Sequence, residues 1–273
     1  MRAFPADAAL ERAVGRREAG ELLEHIVGAA GFCDELIGVA PGVFVPRSRA
    51  EPLARTAADE AARRGPGTRV LDLGCGSGAI AAAVARAVPG AQVVATDISV
   101  RAVESAQRNG AHFGFTVCHG NWFDGLDSQL AGRLDVVVAY LPHTPDRALR
   151  HLPRDRITAE GVASFAGGRD GLDHFRTVVT VLSDWLAPAG VLLTLLAAEQ
   201  AEAGTDIATR ARWACSILAT PDDDCVLAVH PAGGPVPPLT SSAMRELALG
   251  GRSRPWCQRL AAASAHGVPH PAA

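Results

Sequence analysis

Two carboxylates and three glycines, set in a strand-turn-helix pattern, are the residues of this chain whose types and spacing best suit chemistry. Residues 70–81 read Val-Leu-Asp-Leu-Gly-Cys-Gly-Ser-Gly-Ala-Ile-Ala, a buried strand, a glycine turn and a helix start. A dinucleotide fold would space its glycines G-x-G-x-x-G. Here Gly74, Gly76 and Gly78 follow G-x-G-x-G, enclosing Cys75 and Ser77, and Asp72 stands two residues before the first glycine. An acid there repels a pyrophosphate but orients polar groups around a cationic sulfonium, while glycines let the backbone approach a ligand without a Cβ in the way. Residues 93–96 form a second apolar strand ending in Asp97, nineteen residues after Gly78. A carboxylate at that point accepts hydrogen bonds from both hydroxyls of a ribose, the usual offset being about 20 residues. Either half alone also suits an ordinary turn or a helix cap. Together they point to S-adenosyl-L-methionine.

The elements that must position these groups alternate along the chain. After a helix over about 49–64 come strand 70–73, a helix to 88, strand 93–96, a helix to about 112, strand 115–119 and strand 135–139. A long polar loop to 170, a helix to 186 and strand 191–196 follow, then two strands at 214–218 and 225–229 that read as an edge hairpin. This alternation predicts an α/β fold with a parallel sheet. Ahead of it, apolar residues at helical spacing over 7–30, interrupted by Gly15 and Gly20, predict two short helices. Segments 36–39 and 43–45, separated by Ala40-Pro41-Gly42, predict a β-hairpin. The expected division is a substrate-facing lobe (1–48), a cofactor-binding domain (49–230) and a Gly/Pro-rich C-terminal extension (231–273), whose stretch 241–263 would make at most an interrupted helix.

Composition narrows the class. The 273 residues are 48% hydrophobic with a net charge of -3, enough for a sizeable core and without the basic field that draws a protein to nucleic acid or an anionic membrane. All 26 basic residues are arginines, which matches a GC-rich coding genome. Six scattered cysteines show no metal-ligand spacing and read as reduced thiols. No apolar run suggests a signal peptide or membrane span, so a cytoplasmic protein is expected.

With these motifs in view, the sequence resembles the release-factor glutamine methyltransferases, the HemK/PrmC family, over most of residues 16–230. Residues 19–28 look like the family segment "GePLqYilG", and Gly42-Val43-Phe44-Val45-Pro46-Arg47-Ser48-Arg49-Ala50-Glu51 looks like "GVlIPRpeTE". The resemblance implies a seven-stranded Rossmann-like class I methyltransferase sheet with a small N-terminal helical and hairpin lobe. It carries the cofactor role to Gly74, Gly76, Gly78 and Asp97. Through Gly120-Asn121-Trp122-Phe123, against the family's "GDWF", it carries the same role to Trp122, with Asn121 replacing the usual acid. Trp122 offers an apolar face for adenine and Asn121 an oxygen for its amine. Residues 167–173 look like "GGxDGLd", a helix entry at the rim of the site.

The acceptor motif departs from the family. Where "NPPY" would hold a glutamine amide through the Asn side-chain oxygen and a proline carbonyl, this chain has Tyr140-Leu141-Pro142-His143. Leu195 takes the place of a Glu, and Gly161-Val162 replaces Pro-Arg after Glu160. Tyr140 removes one amide acceptor, and the Leu141 carbonyl is left as the other. His143 is a candidate general base with Tyr140 positioning the acceptor, Tyr140 also reaching the cofactor side. A packed tyrosine beside a loop histidine is the plainer alternative. The acceptor classes are therefore a protein glutamine or a small molecule methylated on nitrogen or oxygen. A cofactor-binding protein without turnover is the third possibility.

Overall fold

The structure is a computed structural model that describes residues 8–233, so the 241–263 helix and most of the expected extension lie outside the described residues. Two short helices, α1 (Ala8–Glu18) and α2 (Leu23–Val27), open the chain as the spacing predicts. The hairpin that follows is displaced from its expected place. It is formed by β1 (Ala29–Phe32) and β2 (Glu35–Gly38), paired from Phe32↔Glu35 to Ala29↔Gly38. Its turn is Cys33-Asp34, both at positive φ (48° and 64°), the backbone of a two-residue type I′ turn built without glycine. Residues 43–45 do alternate, Val43 and Val45 buried around a half-buried Phe44, but they have no partner strand. Side chains satisfy their backbone instead: the His25 ring meets the Val43 carbonyl at 2.9 Å, and Val45 N–H donates to the Glu160 carboxylate at 2.8 Å.

Helix α3 (Glu51–Arg64) then leads to β3 (Arg69–Leu73), α4 (Ala79–Ala87), β4 (Gln92–Asp97), α5 (Val100–Phe113), β5 (Thr116–His119) and β6 (Leu134–Ala139). The long loop contains helix α6 (Arg154–Glu160), unread in the sequence, before α7 (Asp173–Val181). The strand after it, β7 (Leu186–Ala197), starts earlier than expected. Helix α8 (Ala201–Arg210), also unread, precedes β8 (Trp213–Ala219) and β9 (Asp224–Pro231).

These strands form one seven-stranded sheet in the order β5-β4-β3-β6-β7-β9-β8. β3, β4, β5, β6 and β7 pair in parallel, and β9 runs antiparallel to both β7 and β8. Alternate residues divide the core: Val70, Val136, Val138, Leu193 and Leu195 pack with α3 and α4, whereas Leu71, Val137, Leu192 and Leu196 pack with α7 and α8. The chain leaves β3 towards β5 on one side and returns to β6 on the other. That reversal opens a crevice at the carboxyl ends of β3 and β6, where ligands of open α/β sheets bind.

The glycine turn is locked from behind. Gly78 starts α4 at φ +78°, and a Cβ there would lie 2.7 Å from Phe115 Cζ. Asn109 of α5 donates to the carbonyls of Gly38 and Ser77, both at 2.8 Å, tying hairpin to turn. Gly78→Ala combines left-handed strain with overpacking, an expected cost on the order of 3 kcal/mol, read as a fall of roughly 6–12 °C in Tm. Adding Phe115→Leu shortens the clashing ring, so the double variant should lose less than the sum of the single changes.

Candidate active site

A cavity of about 340 Å³ opens at this carboxyl edge. Its walls include Asp72, Gly74, Cys75, Gly76, Ser77, Asp97, Asn121, Trp122, Tyr140 and His143, so residues spread over seventy positions meet at one cavity. Gly78 is the exception. It does not line the cavity, because its open face is filled by the Phe115 ring and the Ala106 methyl.

One half of the cavity is acidic. Asp72 ends the strand motif with 1% exposure, and its Oδ2 accepts the Ala81 N–H at 2.9 Å, inside the first turn of α4. Burial pushes its pKa up to about 7, against the Ala81 hydrogen bond and with help from nearby Asp97. Asp97 accepts from Gly76 N–H and Ser99 N–H, both at 2.8 Å, and burial raises its pKa despite those bonds. Thr96, one residue earlier, receives Gly74 N–H and Cys75 N–H on its carbonyl, each at 2.9 Å. Its hydroxyl donates to the Trp122 carbonyl at 3.0 Å. That bond fixes Trp122 at φ +54°, with ring atom Cζ3 3.3 Å from where a Gly74 Cβ would be. Asn121 is exposed at the edge.

Among the described residues neither carboxylate has an ion-pair partner. A bound cation would relieve that buried charge, and the glycine backbone leaves room for a ligand between Asp97 and Trp122. The residues present therefore fit S-adenosylmethionine, with its sulfonium, ammonium and ribose diol.

The other half is aromatic and cationic. Phe44 meets Tyr140 edge-on at 6.0 Å and Phe165 at 5.5 Å. Tyr140 lies 5.7 Å from the His143 ring, packs on the same apolar cluster as Leu195, and its hydroxyl makes no protein hydrogen bond among the described residues. Burial holds its phenol at about 12, so it is protonated near neutrality. His143 Nδ1 lies 2.9 Å from the Leu141 carbonyl, and a carbonyl can only accept. Nδ1 therefore carries the proton. Burial lowers the His143 pKa, opposed by this bond and aided by Arg49, so the ring is neutral and Nε2 presents a lone pair. The Leu141 carbonyl, expected to be available to an incoming amide, is already engaged by the histidine two residues on.

Three supports went unread in the sequence. Gln200 Nε2 donates to the carbonyls of His143 (2.9 Å) and Asp170 (3.0 Å). A Cβ on Gly171 would lie 2.2 Å from that His143 carbonyl, so the 167–173 loop backs the acceptor loop directly. Glu160 clamps Arg47 with both oxygens (2.5 and 2.6 Å) as well as Val45 N–H. Arg49 pairs through Nε and Nη2 with fully buried Asp224 (2.8 and 2.5 Å). No local pattern marks a pair 175 positions apart.

Asp72 makes stability depend on pH. Its ordinary carboxyl value is 3.8 and its folded value about 7, so between these the folded chain holds a proton that the unfolded chain has lost. Stability of the ligand-free protein should fall as pH rises from about 4 to about 7. Asp72→Asn should flatten that slope in a series of thermal melts.

Residues 50–161 match the Methyltransferase small domain family. The release factor glutamine methyltransferase of Geobacter sulfurreducens is 38% identical over 198 residues, 71% of this chain and 67% of the relative. The 4-amino-L-phenylalanine/4-methylamino-L-phenylalanine methyltransferase of Streptomyces pristinaespiralis is 33% identical over 80% of this chain and 76% of its own. Among solved structures, a methyltransferase from Pyrococcus furiosus has TM-score 0.51 at 15% identity, covering 80% of this chain and 95% of that one. A T. Thermophilus 16S rRNA methyltransferase, in complex with AdoMet and guanosine, has TM-score 0.53 at 20% identity, covering 74% and 49%. These share the fold. The sequence relatives go further: the chain belongs to the release factor glutamine methyltransferase family and is an S-adenosylmethionine-dependent methyltransferase.

Proposed function

We propose that the methyl acceptor is a small molecule whose nitrogen or oxygen sheds a proton on reaction, rather than a protein glutamine. The observation that carries this reading is the His143 geometry. One expected acceptor for a glutamine amide is replaced by Tyr140, and the other, the Leu141 carbonyl, already receives Nδ1–H on one of its two lone pairs. The same bond leaves Nε2 as a neutral base on a residue that lines the cavity. In its name the Streptomyces relative acts on an amino acid with an aromatic amine, which agrees with a small acceptor. A protein glutamine is the second reading, favoured by the name of the Geobacter sulfurreducens relative.

When bound, S-adenosylmethionine supplies an electrophilic methyl group on a sulfonium that leaves as a neutral thioether. Asp72 and the turn of Gly74, Cys75, Gly76 and Ser77 would hold its charged end, Asp97 its ribose, and Asn121 and Trp122 its adenine. Tyr140, as a phenol, donates to or accepts from the acceptor and aligns it. His143 Nε2 takes the proton the acceptor loses. Alignment of a weak nucleophile is itself a large part of the rate such a site can supply.

Purified protein with labelled S-adenosylmethionine, offered a GGQ-containing release factor and a panel of small amines and phenols, should label a small molecule. Label in the release factor alone would overturn the proposal. His143→Asn should lower kcat about 10²–10³-fold while leaving cofactor affinity within about twofold. Because the His143 pKa lies below its ordinary 6.5, the acid limb of kcat at saturating cofactor should fall below that value. Cofactor affinity should instead tighten as pH rises through about 7, where Asp72 ionises, and Asp72→Asn should remove that dependence in a titration series.

A further inference from the structure

Resting on the small-molecule reading, we infer that the acceptor half of the cavity is a site for an aromatic carboxylate: a ring held among Phe44, Tyr140 and Phe165, with its acid group met by Arg156 and Arg49. The two halves of the cavity have opposite polarity. Both wall carboxylates, Asp72 and Asp97, stand on the cofactor side, whereas the acceptor side contributes Arg47, Arg49 and Arg156 to the wall and no acid.

These three arginines are not equivalent. Arg47 is committed to buried Glu160, and its guanidinium lies 4.8 Å over the Phe44 ring, so it serves to fix that ring. Arg49 gives Nε and Nη2 to Asp224 and keeps Nη1 without a protein partner among the described residues. It stands in the short 3-10 turn just ahead of α3, close enough to Tyr140 and His143 to shift both titrations. Arg156 is exposed on α6, lines the cavity and has no ion pair among the described residues. A guanidinium with free N–H groups beside a part-enclosed cavity is a bidentate partner for a carboxylate.

The ring site follows from the aromatics. Phe44 contacts both Tyr140 and Phe165 edge-on, so its neighbours form a corner in which a planar substrate can stack or meet edges. A glutamine side chain has neither a ring for this corner nor an acid for the arginines. An aromatic acid that also bears an amine or hydroxyl has both, and its nucleophile can then face Tyr140 and His143.

The test is binding by calorimetry to protein loaded with S-adenosylhomocysteine, which separates recognition from turnover. The probes are 4-amino-L-phenylalanine, tyrosine and 4-aminobenzoate, the carboxamide of each, and a GGQ peptide. At least one acid should bind ten-fold or more tightly than its carboxamide. Arg156→Gln, a surface change that leaves the core intact, should reduce that preference to threefold or less without altering carboxamide binding. Equal affinity for acids and carboxamides, or a preference unchanged by Arg156→Gln, would overturn the carboxylate site while leaving a small-molecule acceptor in place. Binding of the GGQ peptide with none of the aromatic compounds would instead remove the reading on which the site rests. Failure of every acid to bind at millimolar concentration would also overturn the site.

Discussion

The Asp72 carboxylate has been withdrawn almost entirely from water and given one backbone N–H, that of Ala81, as its hydrogen-bond partner in the protein. Removing a carboxylate from water is costly unless it is paired or protonated, and the first turn of α4 offsets only part of that cost through its N–H groups and dipole. The surrounding turn is shaped by this constraint. Gly74, Gly76 and Gly78 all take positive φ (71°, 57° and 78°) as the chain winds past the acid and into α4. Asp97 braces the same turn by accepting Gly76 N–H. The ligand-free protein thus stores unfavourable charge at the place where a cationic cofactor binds, which is preorganisation obtained at some expense in stability.

Polarity changes sign across the cavity, and each half favours the protonation state its role requires. Two buried acids favour a cation on the donor side. Opposite them, Arg49 adds to burial in keeping His143 neutral, and the same field disfavours protonation of an amine placed beside it. A protonated amine has no lone pair to donate. On the proposed reading the arginines do two things at once: they attract an anionic group at one end of an acceptor and keep the nucleophile at its other end free. The buried Asp224 limits this field by pairing with Arg49, so the cation is held in place at the rim of an apolar corner.

The alternation of strands and helices was readable because each βα unit carries its own hydrophobic period, and the cofactor half was readable because its residues lie on consecutive loops of that repeat. The N-terminal hairpin was misplaced for a physical reason. Pro41-Gly42 is a stronger turn signal than Cys33-Asp34, yet the paired strands flank the latter, and the alternation of Val43 and Val45 reflects burial beside bonds from His25 and Glu160. Helices α6 and α8 escaped notice because short segments such as Arg154–Glu160 give too few apolar residues to show a period. The acceptor half is the least legible. Phe44 and Arg49 precede α3, Arg156 and Phe165 lie in the long loop after β6, and Gln200 follows β7, so only the fold makes these three stretches neighbours.

That separation explains how one scaffold can keep its donor and change its acceptor. The supports of the acceptor loop grip its backbone: Gln200 holds the His143 carbonyl, and Gly167 and Gly171 approach within a distance no Cβ would tolerate. None of these contacts reads the side chain at position 140 or 143. Substitution there changes what the loop presents and, at 143, removes the Nδ1–H bond to the Leu141 carbonyl, while these backbone supports remain. Asp72 and the glycine turn, by contrast, are fixed by side chain and backbone together, since the acid bonds Ala81 N–H and Asp97 bonds Gly76 N–H. A change on the donor side disturbs the fold of the turn itself, whereas a change on the acceptor side leaves the Gln200 and glycine supports of the loop backbone in place. Tyr140 and His143 lie on the permissive side of that boundary.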